Sequence, residues 1–241
     1  MTGVSDFGIS GDAPSGPEPD LAARSRLADA LRRLNVTAVA SVLGEADLDA
    51  AAAEITALCD RLDAAAGPGR RPRRHPHHDD LPQDYFPTSP VVGLANPVAP
   101  PVRLETDGLE LRGSGVFDIP YEGPPGCVHG GVIALVFDEI LGAANILAGA
   151  PAMTGTLTVR YRRPTPLHTE VRLHAAYVGR EGRKVTTKAS MHVGDELTAE
   201  AEGIFIVLDP SRFLERMTRD GAPPPEELAA EMRAQHRGDR R

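Results

Sequence analysis

The chain has no tryptophan, and aromatic residues make up only 4% of its 241 residues. Any core must therefore be filled by Val, Ile, Leu and Ala, which a hydrophobic content of 41% allows. Cysteine is as scarce: Cys59 and Cys127 are the two present, too few for a disulfide-stapled scaffold. A basic excess is also missing. With 26 Lys plus Arg against 34 Asp plus Glu, the net charge is −8, which excludes a dedicated nucleic-acid binder and leaves room for a local basic site. The N-terminal region shows no charged start followed by an apolar run, so no secretory signal is expected. No stretch reaches the roughly 18 uncharged apolar residues of a membrane span, because Asp138 interrupts segment 131–141. A G-x-S-x-G elbow, a P-loop and a dinucleotide fingerprint are all absent, so neither a serine hydrolase nor a bound cofactor is expected. These absences point to a soluble cytoplasmic protein with reduced thiols and no membrane partner.

What is present falls into five stretches. Residues 1–19 carry Gly, Ser, Pro and Asp and read as disordered. Residues 20–66 read as a helical hairpin. Its first helix spans 20–35, with Asp20 as cap and Leu27, Leu31 and Leu34 on one face. Its second spans 46–66, with Leu48, Ala51, Ile55, Leu58 and Leu62 at helical spacing and Gly67 as stop. Residues 67–88 form a Pro-broken arm rich in Arg and His, continued by an extended strap to about 101. Residues 89–209 read as the main domain, an α+β arrangement. In it, 103–106 and 109–119 form a hairpin around Asp107-Gly108, a helix covers 130–148, and strands cover 156–163, 170–179, 184–193 and 197–208. Gly182 and Gly194-Asp195 mark later turns, and residues 210–241 form a polar tail with a short helix at 223–234.

The chemistry concentrates in GPPGCVHGGVIALVFDEILG, residues 123–142. Gly130 and Gly131 open a helix whose first N–H groups lack internal partners and carry the positive end of the helix dipole. Without Cβ atoms there, a ligand carbonyl can approach and gain charge beside backbone donors. A carboxylate in so apolar a helix must be paired, protonated or functional. No Lys or Arg occurs in 130–159, so Asp138 has no local ion pair. Asp138 lies more than ~10 Å along its own helix from the glycines, so one carbonyl cannot meet both within one chain. Two antiparallel helices across a two-fold axis would bring them together. Gly131, Ala134, Asp138, Gly142 and Asn145 share a small-residue face suited to that approach. Ile133, Phe137, Ile140 and Leu147 form the face for burial under a sheet. His129 fits a general base or a structural hydrogen bond at the helix start. Ala134, Leu135, Leu141 and Asn145 are candidates to border an acyl tunnel.

Two other constellations carry less. Cys127 and His129 are two residues apart in a loop, a spacing that does not fix a thiol–imidazole pair. His75, His77, His78, Asp79 and Asp80 are metal-ligand types, but no second ligand set lies at structural-zinc spacing, so no metal is expected.

His129-Gly130-Gly131, with Asp138 nine positions after the histidine, resembles the hotdog-fold acyl-CoA thioesterases of the phenylacetate-degradation type. The likeness is strongest to the subgroup that includes the human thioesterase superfamily members four and five. Three further motifs carry it: the loop Gly123-Pro124-Pro125-Gly126-Cys127-Val128, Thr154 followed by Arg162-Arg163-Pro164-Thr165-Pro166-Leu167, and Glu181-Gly182-Arg183-Lys184. The resemblance implies a hotdog fold, an antiparallel sheet wrapped around a central helix, here with an N-terminal helical extension. It implies a homodimer or dimer of dimers that hydrolyses acyl-CoA to free acid and CoA at sites shared between subunits. In that scheme Gly131 and His129 serve the carbonyl, with Gly130 beside them. Asp138 of the partner subunit is base or nucleophile, and Thr154 holds the attacking water. Arg160, Arg162, Arg183 and Lys184 meet the CoA phosphates; Arg160 and Arg162 share a strand face, and Arg183 and Lys184 sit at a turn. The alternative is a non-catalytic acyl-CoA-binding sensor, which would not need Asp138.

Overall fold

Two kinds of pattern meet at Pro100–Pro101, where the chain divides into two compact units. The computed structural model describes residues 21–66, 87–150 and 152–207. Asp20, residues 1–19, the arm at 67–86 with its histidines and the tail from 208 lie outside the described residues.

The first unit holds α1 (Leu21–Val39) and α2 (Glu45–Ala66). α1 runs four residues past its expected end, because nothing in Val36–Val39 breaks a helix. Its covered face differs from the expected one in part: Ala28 is buried and Leu31 and Leu34 are half-buried, but Leu27 is exposed. The reason is Arg32, which turns that face toward residues 87–99. Its guanidinium donates to the carbonyl oxygens of Gly93, Leu94, Asn96 and Ala99 at 2.8–3.3 Å. Converging carbonyls on one cation require a curled backbone. The segment expected as an extended strap is therefore a series of turns, with Ser89 Oγ accepting from the N–H groups of Val91 and Val92. Residues 89–100 accordingly group with the helices.

The second unit is built on period-two alternation. β1 (Val102–Asp107), β2 (Glu110–Val116), β3 (Met153–Tyr161), β4 (Glu170–Glu181), β5 (Lys184–Val193) and β6 (Glu196–Ile206) form one antiparallel sheet in the order β1-β2-β4-β5-β6-β3. Three hairpins share one turn design: Gly108, Gly182 and Gly194 each stand first in a two-residue loop at positive φ. The first loop is Gly108-Leu109 rather than Asp107-Gly108. A loop of Asp107-Gly108 would put Asp107 at the first central place, which needs positive φ; sliding by one residue gives that place to Gly108. β2 stops at Val116, not 119, because Asp118 caps a 3-10 turn at Ile119–Tyr121.

α3 (Gly130–Leu147) lies against the sheet. Ile133, Val136, Phe137, Ile140, Leu141, Ala143, Ala144 and Asn145 are its buried residues. They meet Leu104, Leu111, Val171, Leu173, Val185, Met191 and Phe205 from the inner sheet face in one core. Length and composition alone would let α3 cross a membrane, a possibility the sequence reading had excluded on Asp138; the sheet covers much of it instead. Asn145 departs from expectation: it is buried, not part of the small exposed face, and among the described residues neither amide atom has a hydrogen-bond partner. The expected α+β hotdog arrangement is thus present. Phe137 is fully buried at the centre of that core, so Phe137→Ala is expected to lower unfolding free energy by about 3–5 kcal/mol, measured by chemical denaturation.

Candidate active site

The loop before α3 is shaped by two glycines. A Cβ on Gly123 would meet Cα of His129 at 2.7 Å, and Gly126 has φ +73. Glu122 Oε1 accepts from the Gly126 N–H at 2.6 Å, and the His129 N–H donates to the Tyr121 carbonyl at 2.8 Å. These contacts fix where α3 begins. His129 caps it: its Nδ1 accepts from the Gly131 N–H at 2.9 Å, which places the ring proton on Nε2 in the neutral form. This changes the expected donor. The Gly131 N–H is engaged by its own chain, whereas the Gly130 N–H has no partner among the described residues. Gly131 can present its N–H to a ligand only once the exposed His129 ring turns away.

At the other end of the site, Thr154 Oγ1 donates to Asp138 Oδ1 at 2.8 Å. The bond depends on a β-bulge between Thr154 and Thr156. A strand alternates faces, so without the bulge Thr154 would share the outer face with Thr156 and Arg160. With the bulge, Thr154 pairs with the inward Phe205 and faces the helix. One Asp138 oxygen is thereby held and the other is left to accept from a water or reach a carbon. Asp138 itself is half-buried.

Tyr161, which the sequence reading missed, closes the opposite end of β3. Its hydroxyl donates to the Gly130 carbonyl at 2.8 Å. The signal was parity: Leu157, Val159 and Tyr161 alternate onto the helix side, in register with Gly203, Ala201 and Ala199. β3 therefore carries Thr154 to the carboxylate at one end and Tyr161 to the helix start at the other.

The four basic residues do not gather in one place. Arg160 stands opposite Glu200 on the outer face, and Arg162 pairs with that same carboxylate at 2.5 Å. Arg183 donates to the Val207 carbonyl at 3.2 Å, and Lys184 is in register with Ile206. Rows 200 and 206 lie about 20 Å apart along β6 at the usual strand rise. Each end of β3 thus has its own basic pair. Among the described residues no hydrogen bond joins Cys127 to His129, and no group of His, Cys, Asp and Glu could hold a metal. A separate cleft of about 710 Å³ on the outer sheet face is lined by Arg103, Arg112, Arg172, His174 and Glu170 among others. Its charges are largely matched: Arg112 pairs with Asp107, and His174 with Glu110.

A helix cradled by an antiparallel sheet, with a carboxylate and a glycine-opened helix start on it, defines a hotdog protein. A thioesterase superfamily model matches residues 125–200. Over 94 residues the chain is 42% identical to acyl-coenzyme A thioesterase THEM4 of Xenopus laevis, covering 38% of this chain and 42% of that protein. Over 89 residues it is 32% identical to human acyl-coenzyme A thioesterase THEM5, covering 36% of each. A crystal structure of a thioesterase superfamily protein aligns at 36% identity with a TM-score of 0.69, covering 78% of this chain and 92% of that one. The chain belongs to the thioesterase superfamily. It spans about two fifths of the length of the curated relatives it matches.

The Tyr161 hydroxyl bond is half-exposed, so Tyr161→Phe is expected to cost only about 0.5–1 kcal/mol in equilibrium unfolding. A loss above that would mean the hydroxyl bond is worth more than a solvent-exposed hydrogen bond, despite the residue's 53% exposure.

Proposed function

We propose that this protein hydrolyses acyl-CoA thioesters to free acid and CoA, at sites each completed by two copies of the chain. The observation that carries this reading is the 2.8 Å bond from Thr154 to Asp138 on a helix whose start, about 12 Å away, holds the unpartnered Gly130 N–H. The thioester carbonyl oxygen accepts from the helix-start N–H of one copy, Gly130 and, once the His129 ring has turned, Gly131. Asp138 of the other copy accepts a proton from a water held by Thr154, or attacks the carbonyl carbon itself to form, as the thiolate leaves, an acyl–Asp138 anhydride that water then cleaves to the free acid. Collapse of the tetrahedral species breaks the C–S bond, and the departing thiolate takes a proton to give CoA.

Several features support the pairing of copies. β3 lies at the sheet end, and most of its side chains are exposed. Leu135 and Ile146 on α3 are exposed at 44% and 41%, and Met153 on β3 at 53%. Apposing two copies head to tail along this edge buries that apolar surface and sets the Asp138 end of one against the Gly130 end of the other. It also joins Arg183 and Lys184 of one copy with Arg160 and Arg162 of the other around the CoA phosphates. Such a homodimer, alone or as a dimer of dimers, has two sites.

Thiol release measured across a panel of aliphatic and aryl acyl-CoAs tests the reaction. Asp138→Asn is expected to reduce turnover by roughly 10²–10⁴-fold on every substrate that the wild type cleaves. Saturable binding without CoA release by the wild type would favour an acyl-CoA sensor instead. Shared sites are tested by mixing an Asp138→Asn chain with a Gly130→Pro chain, which lacks the helix-start N–H. Equal mixing with subunit exchange should restore about a quarter of wild-type activity, since half the dimers are mixed and each holds one intact site. No recovery, with exchange verified by tags, would confine the site to one chain.

A further inference from the structure

α2 leaves its apolar stripe open. Every side chain from Glu45 to Ala65 is exposed, including Leu48 at 45%, Ile55 at 37%, Leu58 at 36% and Leu62 at 46%. Together with Ala51 and Ala65 they are spaced alternately three and four residues apart. That is the two-position seam of a heptad, and it runs for three heptads. A seam of this width suits another helix; covering by a sheet calls for a broader stripe. None of this surface takes part in the acyl-CoA chemistry proposed above.

We propose that α2 docks on α2 of a second copy as an antiparallel helix pair, with Ile55 of each chain against Leu58 of the partner subunit. Packing favours this direction. The register sets Leu48 against Ala65 of the partner subunit and Ala51 against Leu62 of the partner subunit, so every layer holds at least one large residue. A parallel in-register pair would instead stack alanine on alanine at 51 and at 65 and leave those layers underfilled.

Charge selects the same direction. Glu54 and Arg61 flank the seam, and neither has an ionisable residue three or four positions away on its own helix: 50, 51, 57, 58, 64 and 65 are alanine or leucine. Among the described residues Glu54 makes no ion pair, and Arg61 makes only a 3.3 Å bond to the Ala57 carbonyl. In the antiparallel register Glu54 falls beside Arg61 of the partner subunit, and symmetry makes that pair twice. In a parallel pair the same side chains would face Cys59 and Ala66. Flanking pairs of this kind set orientation and partner choice.

Disulfide trapping in the full chain tests the proposal. Two differently tagged variants, Cys59→Ala/Ile55→Cys and Cys59→Ala/Leu58→Cys, are co-expressed and mildly oxidised. Facing seam positions come close enough for a disulfide. The expected result is a covalent heterodimer linked between positions 55 and 58, by peptide mapping, in the mixture and not in either variant alone. Self-linking of each variant alone would overturn the antiparallel arrangement in favour of a parallel one. No link in the mixture, with far-ultraviolet circular dichroism unchanged, would overturn pairing and leave the stripe covered by another segment or partner. Adding Glu54→Arg to both chains should lower the yield several-fold, and adding Arg61→Glu as well should restore it. A yield indifferent to these charges would overturn the register. Thiol release by the same samples reports on the active site separately, so failure of that reading and of this one are distinguishable.

Discussion

The rise of one helix sets the chemistry available to this protein. Asp138 lies eight residues beyond Gly130 on α3, about 12 Å at 1.5 Å per residue, and no side-chain rotation closes that gap. A carboxylate that must act on a carbonyl held at a helix start cannot come from the same helix. The core holds α3 by its buried face, so the helix cannot bend to shorten the distance. In the proposed reaction, the two polar ends of this rigid rod therefore serve as two half-sites.

β3 follows from the same constraint. It runs along α3 and serves both ends, and it does so by breaking its own alternation once. The bulge beside Gly155 turns Thr154 inward to Asp138, while normal pairing farther on keeps Tyr161 inward at Gly130. A Cβ on Gly155 would come within 3.2 Å of the Ile204 carbonyl, so the kink and its glycine belong together. The basic residues divide in the same way, Arg183 and Lys184 toward one end and Arg160 and Arg162 toward the other.

The first unit depends on a different device. Arg32 gathers four carbonyls of the segment after α2, so a stretch with few apolar residues is curled by one guanidinium. Nε and Nη2 are matched to carbonyls that would otherwise need water, and Nη1 to the Asp29 carboxylate at 2.6 Å, which is the condition for burying a cation's head group. α2 lacks such a device and displays a heptad seam, so the two helices of the hairpin have different uses for their apolar residues.

Much of this was legible in the chain itself. Alternation and glycine placement located the six described strands to within a few residues, and the Gly-Gly start with Asp138 downstream marked the candidate site and led to the proposal of a second copy. These are local properties: backbone preference, side-chain period and helix rise act over neighbours. Tertiary structure alone decided what depends on meeting a distant partner. The His129 ring occupies the Gly131 N–H because the loop from Glu122 to Val128 delivers it there. Thr154 faces Asp138 because β3 bulges between Thr154 and Thr156 in its pairing with β6. Asn145, polar and expected on an open face, is buried. Sequence spacing fixes the order of residues along an element, but which face is covered and which donor is already taken are set by the elements that pack against it.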